Sequence, residues 1–256
     1  MRMLVTGGTG GLGREVVPRL LKNGHTVRIM SRRRGDNNAT GDVEWAQADM
    51  AQGNGIADAV QGVDTIVHLA SNPLKHKQDV EGTRRLAGAA KAANIGHFFY
   101  ISIVGIDKVG LGYYKTKLAC EKIIEESGVP YSILRETQFH TLLDHFFLPM
   151  FKKWRFLFLP RSAKFQLMDV GEAADRLVEA LEKGTSGHHP DIGGPEVLDA
   201  GTIAEMWLRA RGEKAIGIPL PAWGPLSGLA KAYNCCPDSI GGKITWGEYL
   251  EKRYGS

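Results

Sequence analysis

Cysteine is scarce in this chain: Cys120, Cys235 and Cys236 are the only three among 256 residues. Their spacing suits neither a disulfide framework nor a metal site, which excludes a cysteine-stapled secreted fold and a zinc module. They read as reduced thiols, with a redox role for the adjacent pair the lesser reading. Long apolar runs are lacking too. A membrane-spanning helix needs about 20 consecutive apolar residues, and the richest stretch, Phe146–Pro160, is broken by Pro149, Lys152, Lys153 and Arg155. Charge of one sign is in short supply: 32 Lys and Arg against 28 Asp and Glu leave a formal net charge of +4. That is too little for a nucleic-acid footprint, although local clusters suffice to hold one phosphate. Strand-like sequence starts at Met3, leaving no room for a signal peptide, so a cytoplasmic protein, monomeric or homodimeric, is expected.

Glycine, by contrast, is concentrated. Gly7, Gly8, Gly10, Gly11 and Gly13 follow the apolar "MLVT" and precede the helix-like "REVVPRLLKNG". Glycine loses more backbone entropy on folding than any other residue, so such a cluster needs a reason. A flexible linker would not stand between two adjoining periodic elements. Further strand signals fall at Thr26–Met30, Val43–Gln47, Thr65–Leu69, Phe98–Ser102 and Tyr131–Leu134. Helical patterns alternate with them, including Asp79–Asn94 and Tyr113–Ser127, with Pro18 an awkward member of the first. Fully apolar strands in β-α-β order predict an α/β fold with a doubly wound parallel sheet, a Rossmann fold. The core is expected over residues 1–140. A small C-terminal substrate-binding lobe is expected over 141–256, with further core elements near 168–193, where a helix precedes a returning strand in "HHPDIGG".

A glycine turn between strand and helix lets a pyrophosphate approach the backbone, and the helix N-terminus offers free N–H groups and a positive dipole end. Two spacings fit at once, Gly8-x-Gly10-x-x-Gly13 and Gly7-x-x-Gly10-x-x-Gly13, with both flanks in place. A dinucleotide is the ligand they predict. After the second strand, an acidic residue would favour NAD. Here Ser31, Arg32, Arg33 and Arg34 come first, with no carboxylate until Asp36. An arginine fork grips a 2′-phosphate, so NADP(H) is favoured over NAD, with Ser31 and Arg32 as first contacts and Arg33 able to share.

Thr6-Gly7 and the second glycine spacing resemble the short-chain dehydrogenase/reductase superfamily. "QADM" resembles its acidic–apolar pair beside adenine, and "VHLAS" the fourth strand of its extended members. "DVEGTRRLAGAAKAANIGHFFYIS" resembles the helix and strand that follow, with Asp79 where asparagine is commoner. "YYKTKLACEKIIEESGVPYSILRE", "DVGEAADRLVEAL" and "ITWGEYLEKR" are similar to the atypical, NmrA-like or NAD(P)H-binding branch. The resemblance implies that Gly7, Thr9, Gly10, Gly11, Leu12, Gly13, Asp49, Met50, Leu69, Ala70, Ser71 and Lys117 contact the cofactor.

Tyr113 and Lys117 stand four apart, so on a helix they share a face. A nearby ammonium stabilises a phenolate and lowers a phenol pKa that is otherwise near 10. In the superfamily this tyrosine exchanges the proton during hydride transfer, the lysine also holds the nicotinamide ribose, and Ser102 matches the serine that orients the substrate carbonyl. Phe139, Phe146, Phe147, Met150 and Trp154 are candidates for an apolar substrate pocket and His140 for its rim, with ordinary packing the competing reading and a membrane-surface role for this stretch the least favoured. Glu136 stands where the wider family usually has proline. The expected function is hydride transfer between NADPH and a carbonyl, quinone or similar conjugated small molecule, with no metal. The alternative is a non-catalytic NADP(H)-sensing regulatory or assembly protein.

Overall fold

A computed structural model of the chain describes residues 1–33, 43–72 and 75–255. Arg34 and Asp36 lie outside the described residues. In chain order the elements are β1 (Arg2–Thr6), α1 (Gly11–Lys22), β2 (Thr26–Ser31), β3 (Val43–Gln47), α2 (Ile56–Ala59), β4 (Thr65–His68), α3 (His76–Ala92), β5 (His97–Ile103), α4 (Gly112–Glu125) and β6 (Tyr131–Glu136). There follow α5 (His140–Leu142), a π-helical turn (Leu143–Phe147), α6 (Leu148–Phe151), β7 (Lys152–Lys153), β8 (Phe156–Leu159), β9 (Lys164–Phe165), α7 (Val170–Glu182) and β10 (Gly187–His188). The last are β11 (Leu198–Asp199), α8 (Ala200–Ala210), β12 (Ile216–Pro219), a 3-10 turn (Gly224–Leu226), α9 (Ser227–Ala230) and α10 (Trp246–Tyr254).

The chain divides into two compact units. The first comprises Met1–Ser102, Lys115–Leu134 and Ala174–His189. Its seven-stranded parallel sheet has the order β10-β6-β5-β4-β1-β2-β3. Leu4, Ile66, Phe98 and Ile133 are fully buried, because helices cover both faces of such a sheet and its strands read as continuous apolar runs. Val16, Val17 and Leu20 form the inward face of α1, which runs through Pro18 without ending. It stops at Asn23, and Gly24 follows with φ +79°.

The six strands read from sequence before residue 135 all form, shifted by a residue or two at their ends; β6 runs on to Glu136. The returning strand expected across "HHPDIGG" shortens to Gly187–His188, paired with Ser132 and Ile133. Pro190 has no N–H to donate and ends the ladder. A single bridge, Glu136 to Ile192, is what remains beyond it.

The second unit comprises Ile103–Tyr114, Arg135–Ala173 and Pro190–Ser256. It contains a three-stranded sheet β12-β8-β7 and a two-stranded sheet β11-β9. A buried carboxylate, Asp144, ties its helices together. It accepts hydrogen bonds from Trp207 Nε1 at 2.8 Å, Tyr249 Oη at 2.8 Å and Tyr254 Oη at 2.6 Å. Burial pushes its pKa up, but the bonds from Tyr254, Trp207 and Tyr249 outweigh that and hold the carboxyl below its usual range. The Thr245–Glu248 capping box starts α10.

Candidate functional site

Strand order reverses between β1 and β4, and in open α/β sheets ligands settle outside the carboxyl ends of the strands at such a switch point. A cavity of about 390 Å³ opens there. It is bounded by the end of β1 and its glycine turn (Thr6, Gly7, Thr9, Gly10), the end of β2 (Met30, Ser31, Arg32) and the loop after β3 (Asp49, Met50). Leu69, Ala70 and Ser71 close it beyond β4. Gly11, Leu12, Gly13 and Arg33 are not on its wall.

Two of the glycines are fixed by the fold itself. Gly7 has φ +72°, and a Cβ there would lie 2.7 Å from the Ala70 nitrogen. A Cβ on Gly13 would lie 2.2 Å from the Gly7 carbonyl oxygen, too close for any side chain. Gly10 differs: a Cβ would meet only the Gly7 oxygen at 3.2 Å. It lines the cavity and caps α1, which has no side-chain cap and no acid in its first turn. The N–H groups of that turn are therefore left for an anion, and the bare Gly10 Cα is the space a pyrophosphate needs. The residues present fit a dinucleotide.

Gly13→Ala is accordingly expected to destabilise the fold by about 3 kcal/mol, the upper range for forced overpacking, and to abolish dinucleotide binding. Gly11→Ala, whose Cβ would meet nothing within 4 Å, is the stability control and should unfold no more easily than the parent. Urea denaturation and calorimetric titration with NADPH read the two effects. Equal stability of the Gly13 and Gly11 variants would contradict the packing argument.

Beneath the cavity runs a buried polar chain that sequence reasoning missed. Thr6 Oγ1 accepts from the Ala70 N–H at 3.2 Å and donates to His68 Nδ1 at 2.6 Å. His68 Nε2 donates to Thr83 Oγ1 at 3.1 Å, which donates to the Asp79 carbonyl at 2.8 Å. Burial, then the Lys117 charge, lowers the His68 pKa to about 3, so the ring is neutral. Asp79 Oδ2 accepts from Ser71 Oγ and from the Asn72 N–H, and Asp49 Oδ1 accepts from the N–H groups of Ala51 and Gln52. Both acids thus brace the loops that form the wall. Asn72, Lys75 and Gln78 also line it. The local signal for them was an acid three to four residues into α3, reaching back to the preceding loop.

Arg32 lies at the rim, exposed, with no ion pair to any described residue. Arg33 donates its N–H to Ser31 Oγ. Lys117 is buried on α4; its ammonium donates to the Ile101 carbonyl and lies 4.0 Å from the Tyr100 ring centroid. Burial lowers its pKa to about 8. Tyr113 is half-buried on the same helix. Ser102 ends buried on β5, its hydroxyl without a partner among the described residues.

The candidate pocket residues Phe139, His140, Phe147 and Trp154 all belong to the second unit. Phe139 bridges to Met168. His140 is fully buried, stacked on Tyr249 at 5.0 Å and beside Trp246 at 5.7 Å. Phe147 packs on Phe151 and Phe165. Trp154 is 87% exposed. Glu121, Glu125 and His188 bring one ligand atom each within 4.8 Å, but His188 and Glu125 already pair at 2.7 Å.

A family model described as NAD(P)H-binding matches residues 7–141. Photosystem II assembly factor Ycf39 of Trieres chinensis is 26% identical over 192 residues, 71% of this chain and 60% of that relative's length. Quinone oxidoreductase 2 of Escherichia coli (strain K12) is 28% identical over 135 residues, 51% of this chain and 46% of that one. Among solved structures, an NADPH-dependent quinone oxidoreductase from Escherichia coli complexed with NADPH superposes with a TM-score of 0.80 at 16% identity, covering 99% of this chain and 100% of that one. At that identity the likeness shows the fold. No described helix is long and apolar enough to cross a membrane.

Proposed function

This chain belongs to the NAD(P)H-binding family, and from that premise we propose that it is an NADP(H)-dependent oxidoreductase acting on a carbonyl, quinone or conjugated small molecule. One observation carries the choice of nucleotide. The rim beyond β2, where an NAD-selective site places a carboxylate, presents Ser31 and an Arg32 that forms no ion pair with any described residue. Gly7, Gly10 and the first turn of α1 hold the pyrophosphate, and Met50 and Asp49 border the adenine. When bound, the nicotinamide supplies or accepts the hydride. Tyr113 holds the proton to be exchanged, and Lys117, four residues on, sets its acidity and holds the nicotinamide ribose.

Arg32→Ala should weaken NADPH binding by about 1.5–3 kcal/mol, the worth of a charge-assisted hydrogen bond, and leave NADH nearly unchanged. Calorimetric titration with the two nucleotides decides. Equal losses for both would mean the arginine reads something other than the 2′-phosphate.

A second reading, a non-catalytic NADP(H)-sensing or assembly protein, is favoured by Lys117, whose ammonium already serves Ile101 and Tyr100. The experiment that separates the two is NADPH oxidation followed at the nicotinamide absorbance band, across aldehydes, ketones, enones and quinones. Turnover with any of them supports the oxidoreductase. Tight NADPH binding with no oxidation across the panel gives the sensor reading.

A further inference from the structure

Within the second unit, the segment from α5 to the β7–β8 hairpin carries an apolar face that the fold leaves uncovered. Leu142, Phe146 and Met150 recur every four residues along the helix and its π turn, and residues so spaced neighbour one another on a helix. They are 38%, 41% and 49% exposed, whereas Leu143 and Leu148 on the other face are buried. The helix leads directly into Lys152 and Lys153 of β7, and Lys153 pairs with Phe156 of β8 across a two-residue turn. That turn is Trp154-Arg155. Trp154 is 87% exposed and has φ +55°. A left-handed backbone costs a non-glycine residue roughly 1–2 kcal/mol, and such hairpin turns favour Asn or Gly. A bulky indole held out to solvent in this conformation gains nothing for the fold.

Among the described residues, the charges left unpaired beside it are of one sign. Lys153 and Arg155 form no ion pair with any described residue, and Lys152 is paired with Glu213. The one acid between residues 140 and 160 is Asp144, enclosed by its three donors. Ile216 of the edge strand β12, 47% exposed, donates its N–H to the Arg155 carbonyl and extends the apolar surface past the turn. A tryptophan flanked by cations is the combination that settles at the boundary between lipid headgroups and acyl chains. A self-contact would bring this cationic patch against a second copy with no exposed acid in the segment to meet it.

We propose that the α5–α6 face and the Trp154 hairpin form a docking surface for the interface of an anionic lipid bilayer. Leu142, Phe146, Met150 and Trp154 enter the headgroup region while Lys153 and Arg155 meet lipid phosphates. None of these residues lines the dinucleotide cavity.

The test is flotation of the full chain with phosphatidylcholine vesicles and with vesicles that also contain phosphatidylglycerol. Binding is expected only to the second, and it should weaken as salt is raised. Trp154→Gly removes the anchor yet suits the left-handed backbone, so its melting temperature should be unchanged or higher while vesicle affinity falls on the order of tenfold. Lys153→Gln with Arg155→Gln should lower affinity roughly fivefold for each charge removed. NADPH affinity should be the same in all variants. No flotation with anionic vesicles, equal flotation with neutral ones, or full binding by the Trp154→Gly variant would each overturn the proposal. So would Trp154-dependent dimerisation in sedimentation without lipid, which would make a second copy the occupant.

Discussion

Tyr113→Phe is expected to lower NADPH-dependent turnover by roughly 10²–10⁴, the usual contribution of a positioned general acid. The substitution keeps the ring and removes only the hydroxyl, so NADPH affinity should stay within a few-fold. Lys117→Ala should instead damage both binding and rate. The pH dependence offers a second handle on the same pair. Burial lowers the Lys117 pKa to about 8, so its charge is present below that value and lost as pH rises through it. On the proposed reading that charge stabilises the Tyr113 phenolate, and the rate should then fall on the alkaline side of about pH 8. A quinone acceptor leans less on an enzymic proton and should blunt the Tyr113 effect, whereas a ketone should show it in full. Steady-state rates for the variant across the acceptor panel decide. If Tyr113→Phe turns over every acceptor as fast as the parent, the chain is an enzyme whose proton donor lies elsewhere.

Much of the nucleotide half was open to reading because its physics is local. Strands buried on both faces must be apolar throughout, and Leu4, Ile66, Phe98 and Ile133 announce them. Gly7 and Gly13 announce the turn because only glycine fits against the Ala70 and Gly7 backbone. Other features depend on partners far away in sequence. His68 looks like one more member of a buried strand, and its role emerges only when Thr6 and Thr83 close on its two nitrogens. Asp144 sits in "LLDHFF" as an ordinary helix acid, yet its donors Trp207, Tyr249 and Tyr254 come from residues 63 to 110 positions later. Lys152–Lys153 carries no strand pattern at all and is held in a sheet by β8. Spacing puts Lys117 on the helix face of Tyr113; that its ammonium donates to the Ile101 carbonyl was not legible.

Acidification should unfold the protein well before its carboxylates are exhausted, because three histidines are buried in neutral form. Burial lowers His68 to about 3, with the Lys117 charge adding to it. It lowers His97 to about 4, with His189 adding, and His140 to about 4, with Asp169 pulling weakly the other way. An unfolded histidine titrates near 6.5. Each of these groups therefore contributes stability that is present above about pH 6.5 and lost as pH falls toward its folded value. At about 1.4 kcal/mol per pKa unit, each loses on the order of 3 kcal/mol between pH 6.5 and 4. Glu136 acts in the opposite direction. Its buried carboxyl has no partner among the described residues and is held well above the usual range by burial, so folding favours its protonated form and gains as pH falls. Three histidines outweigh one such acid over this window. His140→Phe isolates one contribution, since neither ring nitrogen has a hydrogen-bond partner among the described residues and phenylalanine keeps the stack on Tyr249 and Trp246. The variant should be more stable than the parent at pH 7, because no buried imidazole is left unsatisfied, and the gap should widen toward pH 5. Urea midpoints at several pH values measure both. A gap that stays constant as pH falls would show that His140 is not the buried neutral group its surroundings require.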